Sequence, residues 1–354
     1  MDYGNARLRA IRARLLTDAD YTRLMGFGSV DGLLAALADT SYAPDVEAAV
    51  TRYRGLRQFD DVLQRHLARL LRSMLRFYED PERRKIGLLL ERWDLRNLRT
   101  ILRGQTRLPG SAEILRSVVP AGRLDTAELR ELAAQPGLRA TVDLMAAWAI
   151  PSQATSRCLL DVWADYERSG DLAVLERALN VAFAEHLDAA LGEDDGEVGA
   201  VLRAEIDEIN LLTALRLRST RRRGEIVTAE EDPIQRFLPA GRIPLDALGE
   251  MAETDDATAV VSRLVGAKLV PGWTDALSGW ADHDDLVALS EELQTASTRR
   301  AVGLFSRGDP LGFAVPVAFT RAQEHEVRNL RWIGRGIVHG FDLAEIEARV
   351  VVIR

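Results

Sequence analysis

The sequence holds a single cysteine, Cys158, in 354 residues. One thiol forms no intrachain disulfide and no cysteine-rich zinc site, which fits a cytoplasmic protein. Long apolar runs are missing too. The best one, around 144–150, is far shorter than the roughly 20 residues a spanning helix requires, so no direct membrane insertion is expected. The opening Met1-Asp2-Tyr3-Gly4-Asn5 leads into a charged helical pattern without the apolar centre of a signal peptide. There is no basic excess. The net charge of −8 argues against nucleic acid as a partner, because such a partner needs a basic face to displace counterions. It argues less firmly against electrostatic docking on anionic lipid, since local patches escape a net figure. The five histidines, His66, His186, His283, His325 and His339, show no zinc-type pairing.

Alternating β-branched runs are nearly absent, and helical periodicity takes their place. Leu8, Ile11, Leu15 and Leu16 form one stripe, and Leu63, Leu67, Leu70, Leu71 and Leu75 another. The same pattern recurs over 88–102, 175–191, 201–217 and 324–337. The expected fold class is all-α. Two short apolar stretches stand apart. The first, 313–319, reads as a loop or helix start interrupted by Pro316, and the second, 350–353, as a frayed terminus.

An internal repeat organises the rest. Three segments carry an acid, two residues, Asn-Leu, four residues and Arg. They are Asp94, Asn97, Leu98, Arg103; Asp207, Asn210, Leu211, Arg216; and Glu326, Asn329, Leu330, Arg335. A second element recurs as Val30-Asp31 leading to Leu34, Leu124-Asp125 leading to Leu129, and Pro244-Leu245 leading to Leu248. The last two copies share Pro-Ala-Gly-Arg at 120–123 and 239–242. Leu129 stands 81 residues before Asn210, and Leu248 stands 81 before Asn329, whereas Leu34 precedes Asn97 by 63. Two elements that keep one separation indicate three homologous helical modules, at 1–118, 119–237 and 238–354, with the first copy 18 residues short.

Asn and Asp inside helices compete for nearby backbone groups and disfavour the helix. Their threefold recurrence suggests that they bond loop backbone or a neighbouring helix and fix how each module closes. The alternative is a solvated helix face. Glu91 with Asp94 resembles an acid–base pair, but no nucleophile, metal set or further base recurs beside it. Gly26 to Gly32 lacks dinucleotide-loop spacing and a preceding strand, so Ser29 or Asp31 reads as a helix N-cap. Gly266-Ala267-Lys268 lacks the remainder of a phosphate loop. Asp282, Asp284 and Asp285 around His283 read as an exposed acidic loop. Arg221-Arg222-Arg223 either complements a helix C-terminus or meets an acidic partner. Cys158 reads as a small core residue. No catalytic, cofactor-binding or metal-binding residue is expected, and no cofactor.

The opening Tyr3 to Leu16 resembles the N-terminal helix of the C-subunit family of V/A-type rotary ATPases, also called the d-subunit family. The segments around Tyr21 and Leu24 and from Leu33 to Tyr42, then Asp94 to Leu98, and Glu326 to Arg335 with a short tail, are similar to that family's successive segments. The resemblance covers nearly the whole chain. It implies three similar modules arranged as a pseudo-threefold funnel. It also implies a non-catalytic adapter, one copy per rotary complex, that seats the central shaft subunits D and F on the membrane proteolipid ring. Such an adapter is peripheral on the cytoplasmic face of the membrane and transmits torque. Gly334 in place of Leu102 and Leu215, and Trp332 in place of threonine, depart from the repeat. Trp93, Trp148, Trp163, Trp273, Trp280 and Trp332 are candidate partner anchors or simply core. Two other readings stay open: a generic helical scaffold with unrelated partners, and an enzyme with a pocket between modules.

Overall fold

The computed structural model describes all residues except 51–52, 108–109, 151, 194–195, 225–232, 257–258, 260–263, 265–268, 284 and 354. For 153–155, 233, 235 and 282–283 it describes the backbone alone. The described residues contain helices and no strand. The stretch 266–268 and the side chains of Asp282, His283 and Asp284 therefore lie outside the description, whereas Asp285 is exposed and accepts the amides of Val287 and Ala288. Two compact units divide the chain. One comprises Met1–Leu144 with Val302–Arg354, and the other Met145–Ala301.

The chain opens with α1 (Asp2–Arg12), α2 (Asp18–Met25), α3 (Val30–Leu37), α4 (Ala43–Ala49), α5 (Leu56–Leu75), α6 (Glu82–Arg107), α7 (Ser111–Ser117), α8 (Thr126–Ala133) and α9 (Leu138–Trp148). There follow α10 (Gln153–Asp161), α11 (Trp163–Ser169), α12 (Leu172–Leu191), α13 (Glu197–Arg222), α14 (Leu245–Glu253), α15 (Trp273–His283) and α16 (Leu286–Val302). The last helices are α17 (Leu304–Arg307), α18 (Ala314–His339) and α19 (Leu343–Glu347). The repeat signatures lie on α6, α13 and α18, each 26 residues long.

Local chemistry fixes the helix ends. Thr17 and Asp20 form a capping box that starts α2, and Asp125 with Glu128 does the same for α8. Ser29 caps α3 by accepting from the Gly32 amide. The 313–319 stretch is a helix start. Pro316 sits in the first turn of α18, where a missing N–H costs nothing. Gly340 ends that helix in the left-handed conformation, at φ 73°.

In the first unit α5 packs along α18. Phe59, Leu63, Leu67, Leu71 and Met74 recur at spacings of three and four and meet Val315, Phe319, Leu330 and Ile333 in one core. Full burial of such a side chain stabilises by about 1.5–3 kcal/mol. Gly334 belongs to this contact. A Cβ there would stand 2.6 Å from the Phe59 ring, so the departure from leucine lets α5 approach. The second unit has its own core, in which Leu211, Leu215, Leu248, Met251, Trp273, Leu277 and Leu293 are buried. Packing thus divides the last sequence copy. Helices α18 and α19 lie in the first unit, and α14 and α15 in the second.

Candidate functional site

The signature residues lie in the middle of α6, α13 and α18, where each acid and asparagine is almost fully buried. On α6, Asn97 donates from Nδ2 to the Val119 carbonyl at 2.7 Å and accepts the Val119 amide at Oδ1 at 2.8 Å. Asp94 accepts the amides of Arg123 at 2.8 Å and Leu124 at 3.0 Å. One helical turn thus grips six residues of loop immediately ahead of α8.

Helix α13 repeats the arrangement. Asn210 pairs both ways with Leu238, at 2.8 and 2.7 Å, and Asp207 Oδ1 accepts the amides of Arg242 at 2.7 Å and Ile243 at 2.9 Å. Gly122 and Gly241 explain the shared Pro-Ala-Gly-Arg. A Cβ on either would fall within the carboxylate of Asp94 or Asp207, so only glycine lets backbone and acid come so close.

The third signature departs from this pattern. Glu326 Oε2 accepts the amide of Leu16, just ahead of α2, at 2.6 Å, and Oε1 accepts the Tyr42 hydroxyl at 2.9 Å. Arg14 stands where the other copies have glycine, and the longer glutamate arm reaches the amide from farther away. Asn329 Nδ2 donates to the Val351 carbonyl at 2.9 Å, in the closing segment of the chain. His325 Nε2 lies 2.5 Å from the same oxygen. The 350–353 stretch is therefore held rather than frayed. The grip also relocates the start of the first copy. The counterpart of Leu124 and Ile243 is Leu16, and that of Leu129 is Tyr21, not Leu34. Tyr21 precedes Asn97 by 76 residues, so the first copy is short by 5 rather than 18.

Burial is the main influence on the acids. It raises the Asp94 carboxyl to about 6, against the opposing amides of Arg123 and Leu124. It raises Asp207 likewise. It raises Glu326 to about 7, against the Leu16 amide and the Tyr42 hydroxyl. Leu98, Leu211 and Leu330 are core residues, whereas Arg103, Arg216 and Arg335 are exposed. Glu91 is buried near Arg123, 3.5 Å from its guanidinium, and so faces the same loop as Asp94.

Sequence reasoning missed a buried group beside the third signature. His66 Nδ1 lies 3.0 Å from Asp45 Oδ2, Arg69 pairs with that carboxylate, and the Tyr42 ring stacks on His66 at 3.6 Å. Burial lowers the His66 pKa, so the ring is neutral. With 1% of its surface exposed, His66 offers no approach to a substrate. The only sequence signal was four polar or aromatic residues set among leucines. Arg218, also missed, is buried and donates to the carbonyls of Thr254 and Asp255. Arg221 pairs with Asp255 at 2.8 Å. Cys158 is half-buried, and burial pushes its thiol up to about 12, which removes the reactive thiolate. Trp93, Trp163, Trp273 and Trp280 are buried, while Trp148 is 40% exposed. Among the described residues, no group of three or more His, Cys, Asp or Glu could hold a metal ion. No described helix is long and apolar enough to cross a membrane.

The arrangement therefore holds backbone in place. Residues 4–349 match the family model described as ATP synthase (C/AC39) subunit. The C subunit of the A-type ATP synthase of Halorubrum lacusprofundi is 28% identical over 99% of this chain and 97% of its own length. That of Haloferax volcanii is 27% identical over the same shares. The C subunit of the V-type ATP synthase of Deinococcus radiodurans is 26% identical over 98% of this chain and 90% of its own. A match that runs from residue 4 to residue 349 places this chain in the ATP synthase (C/AC39) subunit family.

Proposed function

We propose that this chain is the non-catalytic central-rotor adapter of a V/A-type ATPase. It couples the shaft subunits D and F to the membrane proteolipid ring and transmits torque during ATP-driven ion transport or ATP synthesis. One copy serves each complex, held at the cytoplasmic face of the membrane through the ring. The three sequence copies form a funnel around a pseudo-threefold axis.

The observation that carries this reading is the family match across 4–349, together with relatives named as C subunits of ATP synthases. The junction chemistry supports it. An adapter under torque must resist shear between its helices. Buried, fully satisfied polar contacts to backbone rigidify a core and are costly to break. The order of the grips also suits a closed arrangement. The first signature holds the lead-in to the second copy, the second holds that of the third, and the third returns to Leu16 in the first.

The test is reconstitution. The purified chain mixed with shaft subunits D and F is expected to co-elute as one complex with one copy of each, and to carry them onto isolated proteolipid rings. A folded chain that binds neither shaft nor ring overturns the adapter reading in favour of a helical scaffold with unrelated partners.

A further inference from the structure

The three junctions are built to one plan, and one of them is incomplete. In the first two, the asparagine amide closes on both the N–H and the C=O of a single residue, Val119 or Leu238, which the chain then carries into the next helix. In the third, acid and asparagine grip two different pieces of chain. Glu326 holds Leu16, and Asn329 holds the Val351 carbonyl 335 residues further along the sequence. Asn329 Oδ1, buried like its counterparts, has no hydrogen-bond partner. Beside it lies a cavity of about 270 Å³ lined by Arg12, Tyr21, Phe305, His325, Glu326 and Asn329. Residues Val350 and Ile353 are only partly buried against the core, and Val352 is 38% exposed.

We propose that residues 350–353 form a releasable strap over this junction, so that the contact between α18 and the lead-in to α2 opens as one unit while the other two junctions stay shut. The geometry argues for this in two ways. The Val350 amide bonds the Ile346 and Glu347 carbonyls at the end of α19, but the strap is held to α18 by one carbonyl alone, that of Val351, and by partly buried side chains, which is little compared with the four bonds at each of the other two junctions. The neighbouring cavity means that opening exposes polar groups that are already imperfectly packed.

Opening is also linked to protons. Glu326 faces Arg12 from α1, Asp20 and Tyr21 from α2, Tyr42 ahead of α4, and His325 on its own helix. Burial raises its carboxyl above the ordinary value, so the closed junction favours the protonated form. The closed state is therefore most favoured at acid pH and loses stability as pH rises through about 7.

The test is amide hydrogen exchange on the full chain and on a variant that lacks residues 350–354, corrected for the chemical exchange rate. In the deletion the Leu16 amide is expected to exchange about ten-fold faster or more, with the Leu124 and Ile243 amides within about two-fold of the full chain. Ile353→Ser loosens the strap without shortening the chain. It gives the same pattern at lower amplitude and serves if the deletion does not fold. Unchanged Leu16 exchange, or equal acceleration at all three amides, overturns the strap. In the full chain Leu16 is expected to open more at pH 8 than at pH 6. Glu326→Gln keeps an acceptor and should abolish that difference, and its persistence overturns the proton link.

Discussion

Asn210 and Asn329 occupy the same place in their copies, yet they hold their loops differently. Asn210 satisfies both backbone groups of Leu238, and Asp207 grips two further amides a few residues on. Asn329 makes one backbone bond, to a segment remote from the one its neighbouring acid holds. The strap proposal gives one sequence motif two mechanical purposes. Where the chain runs on into the next helix, the motif makes a rigid corner. Where it joins two distant parts of the chain, the same residues make a contact that can be released.

The largest expected effect tests this contrast directly. Asn210→Leu leaves the Leu238 N–H and C=O buried and unpaired and should cost about 3–4 kcal/mol in urea unfolding, while Asn329→Leu should cost about 1–2. Equal losses would break the distinction. Next comes pH. Glu326 sits at 4.5 ordinarily and near 7 when folded, so its contribution is complete below about 4.5 and is lost as pH rises through 7, for a change of roughly 3 kcal/mol. Asp94, raised from 3.8 to about 6, acts in the same direction over a lower window. Denaturation curves of Glu326→Gln from pH 5 to pH 8 should be flatter than those of the unmodified chain. A third test sharpens the comparison through the loop. Gly241→Ala forces a methyl against Asp207 and should cost about 2 kcal/mol, whereas Arg14→Ala at the matching position should change stability by less than about 0.5. The smallest effect is expected at the rim. Arg221 pairs with Asp255 in the open, so Arg221→Ala should shift the unfolding midpoint by less than about 0.5 kcal/mol.

Much of this was legible in the sequence, for identifiable reasons. Heptad-like leucines gave the helices, because burial of one face leaves a period. Asp94, Asn97 and their counterparts were legible as recurring residues where helices disfavour them. Their separation gave the repeat, but not the loops they hold. Glu326 and Leu16 are 310 residues apart, and nothing local links them. The Pro-Ala-Gly-Arg repeat was visible, but the need for glycine became clear only when Asp94 and Asp207 were seen against it. The first copy was misaligned because it has neither that proline nor that glycine. Leu34 follows a good helix cap, whereas the true counterpart, Tyr21, is not a leucine. Val350 to Ile353 carry no pattern beyond being apolar. The Asp45–His66–Tyr42 group was invisible because Tyr42 and Asp45 at the start of α4 lie more than twenty residues from His66 on α5 and none of them recurs.

The contact between α5 and α18 has a consequence for synthesis. Leu71 leaves the ribosome 248 residues before Phe319. At about 5–20 residues per second, its partner arrives roughly 10–50 seconds later. Until then the side of α5 that packs on α18 is uncovered, although α3 and α4, made earlier, already pack on the same helix. The stretch between can already have collapsed around its own centre, so the part made first finishes last, and a nascent chain stalled before residue 319 should be the species that chaperones hold.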